Sequence, residues 1–158
     1  MDLNQGNDLS NTVQSILNVT AKAQFGYTIS AYKTQNMTHT DSVTTISNFQ
    51  GTYTTPDNWE SACVNVGSSM CGFGYTTDDS SLPTGDVDRF VVPDGVTCTG
   101  AGPCYAAFSA TAPGDTVGDL GTSVDNKLTL MTYRTSVPGS QKVGTYSTVI
   151  VYIATPQF

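Results

Sequence analysis

The chain has 158 residues, a net charge of −7 and 12% charged side chains, against roughly 25% in an average soluble protein. Its six Lys and Arg are scattered singly and cannot build the basic face that phosphate binding needs, which excludes a nucleic-acid partner; the same acidity disfavours an anionic membrane surface. No apolar run approaches the roughly 20 residues of a spanning helix, the longest being Val149 to Ala154, so membrane insertion is not expected.

Helix formers are scarce: Glu occurs once, at Glu60, and Lys four times, while Thr, Val and Tyr are plentiful. That balance predicts an all-β chain, and the length suits a single domain over 1–158. Between Ile16 and Lys33, Leu17, Val19 and Ala21 alternate with Asn18, Thr20 and Lys22. Tyr27, Ile29 and Ala31 likewise alternate with Thr28, Ser30 and Tyr32. Two half-buried strands joined by a tight connection near Gly26 are predicted. The Thr-rich stretch from Asn36 to Asn48 reads as an edge strand or a loop. From Gly51 to Gly102 the chain is dense in Gly, Pro, Ser and Asp, which predicts mostly loop, with short strands at Phe73 to Thr76 and Arg89 to Val92.

Tyr105 to Ala110 is predicted as a further strand. The strongest strand signals follow, at Leu128 to Thr135 and Tyr146 to Thr155. The second is apolar on both faces from Val149 to Ile153, as in a central strand covered on both sides. With the Pro138-Gly139 turn between them, the two are expected to close the domain as an antiparallel hairpin. Seven to nine short strands and irregular turn spacing predict an antiparallel two-sheet β-sandwich of immunoglobulin-like kind, its loop-rich middle stapled by disulfides.

The cysteines fall as two local pairs, Cys63 with Cys71 and Cys98 with Cys104. Four cysteines allow three connectivities. Local pairing is the natural choice, because each pair closes a short Gly- and Ser-rich loop beside a strand end, and the even count favours an oxidising compartment over the cytosol. Neither pair has the C-x2-4-C spacing of a zinc knuckle. The opening Met1-Asp2-Leu3-Asn4 lacks the basic and apolar regions of a signal peptide, so the cysteines carry the expectation of an extracellular location.

The sequence carries no catalytic constellation. The single histidine, His39, has Asp41 and Ser42 close by in sequence, too close along one strand to face each other in triad order, and reads as a solvated surface residue. Asp78, Asp79, Asp86 and Asp88 flank Pro83 and Gly85. Their carboxylates in a flexible loop could hold calcium, although a solvated acidic loop fits the spacing better and no cofactor is expected. Tyr53, Trp59, Phe73, Tyr75 and Tyr105 lie in or beside the stapled loops. Exposed rings there would stack on sugars while polar neighbours bond the hydroxyls; the plainer reading, favoured for Trp59, is anchoring of the core and loops. Lys22 and Lys33 sit on the early strands, and the sequence names no partner for either amine.

Four short segments carry a resemblance: Leu17-Asn18-Val19-Thr20, Gly26-Tyr27-Thr28-Ile29, Cys71-Gly72-Phe73-Gly74-Tyr75, and Gly144-Thr145-Tyr146-Ser147-Thr148 running into Val149-Ile150-Val151-Tyr152. In this order they resemble the strands of bacterial cell-surface β-sandwich domains, including the WxL-type cell-wall domains and related immunoglobulin-like modules. Trp59 is followed by Glu60 and Ser61, a departure from the WxL motif. The resemblance implies a surface location and a structural or adhesive task, with other protein subunits as partners through sheet edges and loops. A carbohydrate-binding module using the rings around Trp59 is the alternative.

Overall fold

In a computed structural model, residues 2–3, 9–59, 63, 70–79, 82, 89–90 and 102–158 are described, and no helix occurs among them. The strands are β1 (Asp2–Leu3), β2 (Leu9–Ala21), β3 (Tyr27–Lys33), β4 (Met37–His39), β5 (Thr45–Ile46), β6 (Asp57–Asn58), β7 (Gly72–Thr77), β8 (Cys104–Tyr105), β9 (Asp115–Leu120), β10 (Val124–Val137), β11 (Gly144–Ser147) and β12 (Ile150–Pro156). They form antiparallel sheets of order β1-β11-β4-β5, β2-β10-β7, β12-β3-β9 and β6-β8. The chain is all-β, as its composition predicts.

The alternation in β3 sorts its side chains as expected: Tyr27, Ile29, Ala31 and Lys33 are buried while Thr28, Ser30 and Tyr32 are half-buried. Between β2 and β3 the chain turns at Ala23 to Gly26, closed by the Gly26 N–H donating to the Ala23 carbonyl at 3.1 Å. Gly26 takes a φ of 76°, and a Cβ there would lie 1.7 Å from the Leu120 carbonyl oxygen, so only glycine fits this corner. The turn does not fold β3 back onto β2. It carries the chain from one sheet into another, because β2 pairs with β10 and β3 pairs with β12 and β9.

β2 is longer than the alternation from Ile16 indicates, reaching back to Leu9 and pairing with β10 from Leu9 opposite Val137 to Ala21 opposite Val124. β7 pairs with the other side of β10, with Tyr75 opposite Tyr133. The second edge of β7 is also covered: Tyr75 exchanges backbone hydrogen bonds with Ala106, and Phe73 bonds Ser47 and Phe49. β7 is accordingly buried along its whole length.

The expected hairpin between Leu128–Thr135 and Tyr146–Thr155 does not form. β10 takes β2 and β7 as its neighbours, while the second segment divides into β11, beside β1 and β4, and β12, beside β3. Side-chain alternation specifies which face of a strand is apolar, and that constraint does not select the neighbour. β12 is likewise an edge strand of its sheet, not a central one. Ile150 to Ile153 are half-buried throughout, which produces the same two-sided apolar pattern as a fully covered strand. Arg89 and Phe90 lie in a turn rather than a strand; Val91 and Val92 lie outside the described residues. Within the predicted Tyr105–Ala110 strand, Tyr105 pairs with Asp57 of β6, Ala106 bridges Tyr75 of β7 and Ser109 bridges Tyr32 of β3, with no continuous strand between them.

A common core holds the sheets together. Tyr27, Ile29, Ala31 and Val117 from β3 and β9 pack with Phe73, Tyr75 and Met131 from β7 and β10, and with Phe108, Phe90, Met37 and Tyr146. Polar side chains also connect the sheets. The Tyr133 hydroxyl, 2.7 Å from Ser15 Oγ within its own sheet, bonds the Tyr152 hydroxyl of β12, and the Thr77 hydroxyl of β7 donates to the Val117 carbonyl of β9 at 2.9 Å.

Candidate functional site

The loop aromatics are placed by β6, β8 and the 47–49 segment beside β7. They do not form an open platform. Phe49 stacks on Trp59 with ring centroids 4.1 Å apart, and Tyr105 meets the indole edge-on at 5.3 Å. The Trp59 N–H donates to the Met70 carbonyl at 2.6 Å, and the Arg134 guanidinium lies 4.8 Å from the indole centre. Trp59 is 6% exposed. Phe73 and Tyr75 are core residues against Phe108. Tyr53, half-buried, carries Arg89 over its ring at 4.8 Å and accepts the Arg89 N–H on its backbone carbonyl at 2.6 Å. Trp59, Phe73, Tyr75 and Tyr105 are thus buried against other rings, the arrangement of loop and core anchors, while Tyr53 stays half-buried. Large aromatic surfaces in a chain so poor in other apolar loop residues are withdrawn from water by packing on one another.

Cys63 and Cys71 form a disulfide with Cα atoms 4.8 Å apart, the local pairing expected from spacing. Cys104 is also disulfide-bonded; Cys98 lies outside the described residues. The bridge fastens Cys71, just before β7, to Cys63.

The acidic residues point apart. The exposed Asp78 carboxylate accepts the Leu130 N–H of β10 at 2.7 Å, whereas the buried Asp79 carboxylate accepts the Asp119 N–H of β9 at 2.9 Å. Each thus accepts a backbone N–H from a neighbouring strand. Asp86 and Asp88 lie outside the described residues, and no group of three metal-ligating side chains occurs among the described ones.

His39 is buried, contrary to the expectation of a solvated histidine. β4 alternates with Met37 and His39 inward, which sets the imidazole 5.0 Å from the Tyr146 ring. Nδ1 accepts the Asp41 N–H at 3.1 Å, so Nε2 is left to donate to the Val143 carbonyl at 3.2 Å. With both nitrogens held by backbone, the ring braces the β4–β11 contact. Beyond it, Asp41 bonds Lys142 at 2.8 Å and the Thr44 and Val43 N–H groups. These contacts, Lys142 first, hold its carboxyl far below the usual carboxylate range.

What remains accessible is a surface. β2 is bonded on one edge by β10, and no described strand pairs with its other edge. Along the same sheet Val13 is 48%, Ile16 62% and Leu128 53% exposed. At the end of β2, a cavity of about 420 Å³ opens between Val19 and Ala21 on one side and Ala154, Pro156 and Phe158 after β12 on the other. Two edge strands thus lie near each other at this side of the molecule. The polar Ser10 to Gln14 stretch hides half of β2 from a search for apolar alternation; the signal that remained legible was Val13 among Thr and Gln. No family model matches the sequence, and neither curated proteins nor solved structures show significant similarity to it.

Proposed function

We propose that this chain is a non-catalytic extracellular structural or adhesive subunit, an immunoglobulin-like sandwich of two facing sheets that makes protein contacts through its sheet edges. The observation that carries the reading is β2: 13 residues long, paired on one edge only among the described residues, and bordered by exposed Val13, Ile16 and Leu128. A strand edge presents a row of unpaired N–H and C=O groups, which an incoming strand satisfies with a ladder of hydrogen bonds. Exposed apolar side chains beside that edge add the buried area that association requires. The oxidised cysteines and the uncharged, Thr- and Ser-rich surface support an exterior location.

Light scattering and electron microscopy of the purified protein over a rising concentration series test the proposal. Oligomers or fibres that disappear in the Val13→Glu/Ile16→Glu variant are expected. A particle that stays monomeric at every concentration, or an assembly indifferent to both substitutions, overturns it.

A further inference from the structure

Lys33 ends the inward row of β3 and is 2% exposed. Burying an ammonium costs several kcal/mol unless a counter-charge accompanies it, and among the described residues no carboxylate lies within ion-pair distance of this one. Its Nζ instead meets two carboxamides. It donates to Asn36 Oδ1 at 2.6 Å and to Asn48 Oδ1. Burial lowers the lysine's pKa, so a larger share of it is neutral amine, the nucleophilic form.

We propose that Lys33 and Asn48 become joined by an intramolecular amide, the Lys33 nitrogen displacing ammonia from the Asn48 side chain. Nζ attacks Cγ of Asn48 and the new N–C bond forms; the bond from Cγ to the carboxamide nitrogen breaks. One proton passes from Nζ to the departing nitrogen, which leaves as ammonia, so neither oxidant nor co-reactant is consumed. Asn48 lines a cavity of about 350 Å³ together with Tyr53, Ser109 and Asp115. Burial raises the Asp115 carboxyl, so it keeps its proton to higher pH than an ordinary aspartate, and among the described residues lining that cavity it is the carboxyl group available to relay a proton.

The bond has a mechanical consequence. Lys33 belongs to the β12-β3-β9 sheet, and Asn48 bridges Phe73 of β7 in the β2-β10-β7 sheet. The amide would therefore fasten one sheet to the segment lining the other, closing a loop between positions 15 residues apart. This cross-link does not depend on whether the protein assembles.

Intact mass spectrometry of the native protein, with the cysteines accounted for by reduction and alkylation, tests the proposal directly. The wild type is expected to fall short of its sequence mass by one ammonia, trypsin is expected not to cut after Lys33, and fragmentation should locate a branch between Lys33 and Asn48. Asn48→Asp should form the same amide with loss of one water instead, and Lys33→Arg should keep its full mass. A wild type at full sequence mass, a branch at Asn36, or ammonia lost without any branch overturns the assignment. Asp115→Asn, with its fold verified by near-ultraviolet circular dichroism, should bridge slowly or incompletely; complete bridging there overturns the relay role of Asp115.

Discussion

The guanidinium of Arg134 lies 4.8 Å from the centre of the Trp59 indole and donates to the Trp59 carbonyl at 3.2 Å, joining the C-terminal part of β10 to the residue that follows β6. One side chain thereby holds both the ring and the backbone of the same residue, and Tyr105 shares the cation at 5.8 Å. Trp59→Ala is expected to lower stability by about 3–5 kcal/mol, as for other large buried aromatics. A double-mutant cycle with Arg134→Ala should return a coupling of about 1 kcal/mol in denaturant unfolding. An unfolding midpoint unchanged by Trp59→Ala would mean that the ring is not an anchor.

The Cys63–Cys71 bridge closes a loop with a sequence separation of 8, for which chain entropy gives about 2.5 kcal/mol. Replacing both cysteines by Ala should reduce stability by about that amount without removing the β-sheet signal in circular dichroism, because β7 keeps its neighbours on both edges. Loss of the sheet signal in that variant would mean that the bridge is required for folding and is more than a staple.

Asp41 gives the fold an acid-sensitive contact. Its folded pKa lies well below the ordinary value of about 3.9, so the stability it contributes is fully present above about pH 4 and is lost as pH falls through the folded value. Asp41→Asn should therefore be less stable than the wild type at neutral pH, and the gap should narrow below about pH 4. Chemical denaturation at a series of pH values measures both. A gap that stays constant down to pH 2 would assign the effect to something other than the carboxylate charge.

Gly144 begins β11 with a φ of 143°, and a Cβ there would lie 2.2 Å from His39 Nε2. Gly144→Ala should displace the imidazole from the Val143 carbonyl and destabilise the β4–β11 pairing. The expected loss is about 1–3 kcal/mol, that of a strained backbone position. His39→Ala should be destabilised too, and combining the two should cost less than their sum, since the clash disappears with the ring. Strict additivity of the two losses would remove this account.

Composition and alternation determined the all-β class, the course of β3, β7 and much of β10, the turn at Gly26 and the local Cys63–Cys71 pair. Each of these follows from neighbours in sequence: a period of two sorts side chains to opposite faces, and a short Cys spacing limits what a sulfur can reach. Which strands become neighbours was decided only in the folded chain. Ser15 meets Tyr133 across 118 positions, and β10 pairs with β2 over nearly its whole length rather than with the segment that follows the nearby turn. The same applies to burial. His39, Trp59 and Lys33 stand among polar residues in the sequence, yet the sheets that close over them leave each one buried, because exclusion from water depends on what packs from elsewhere in the chain.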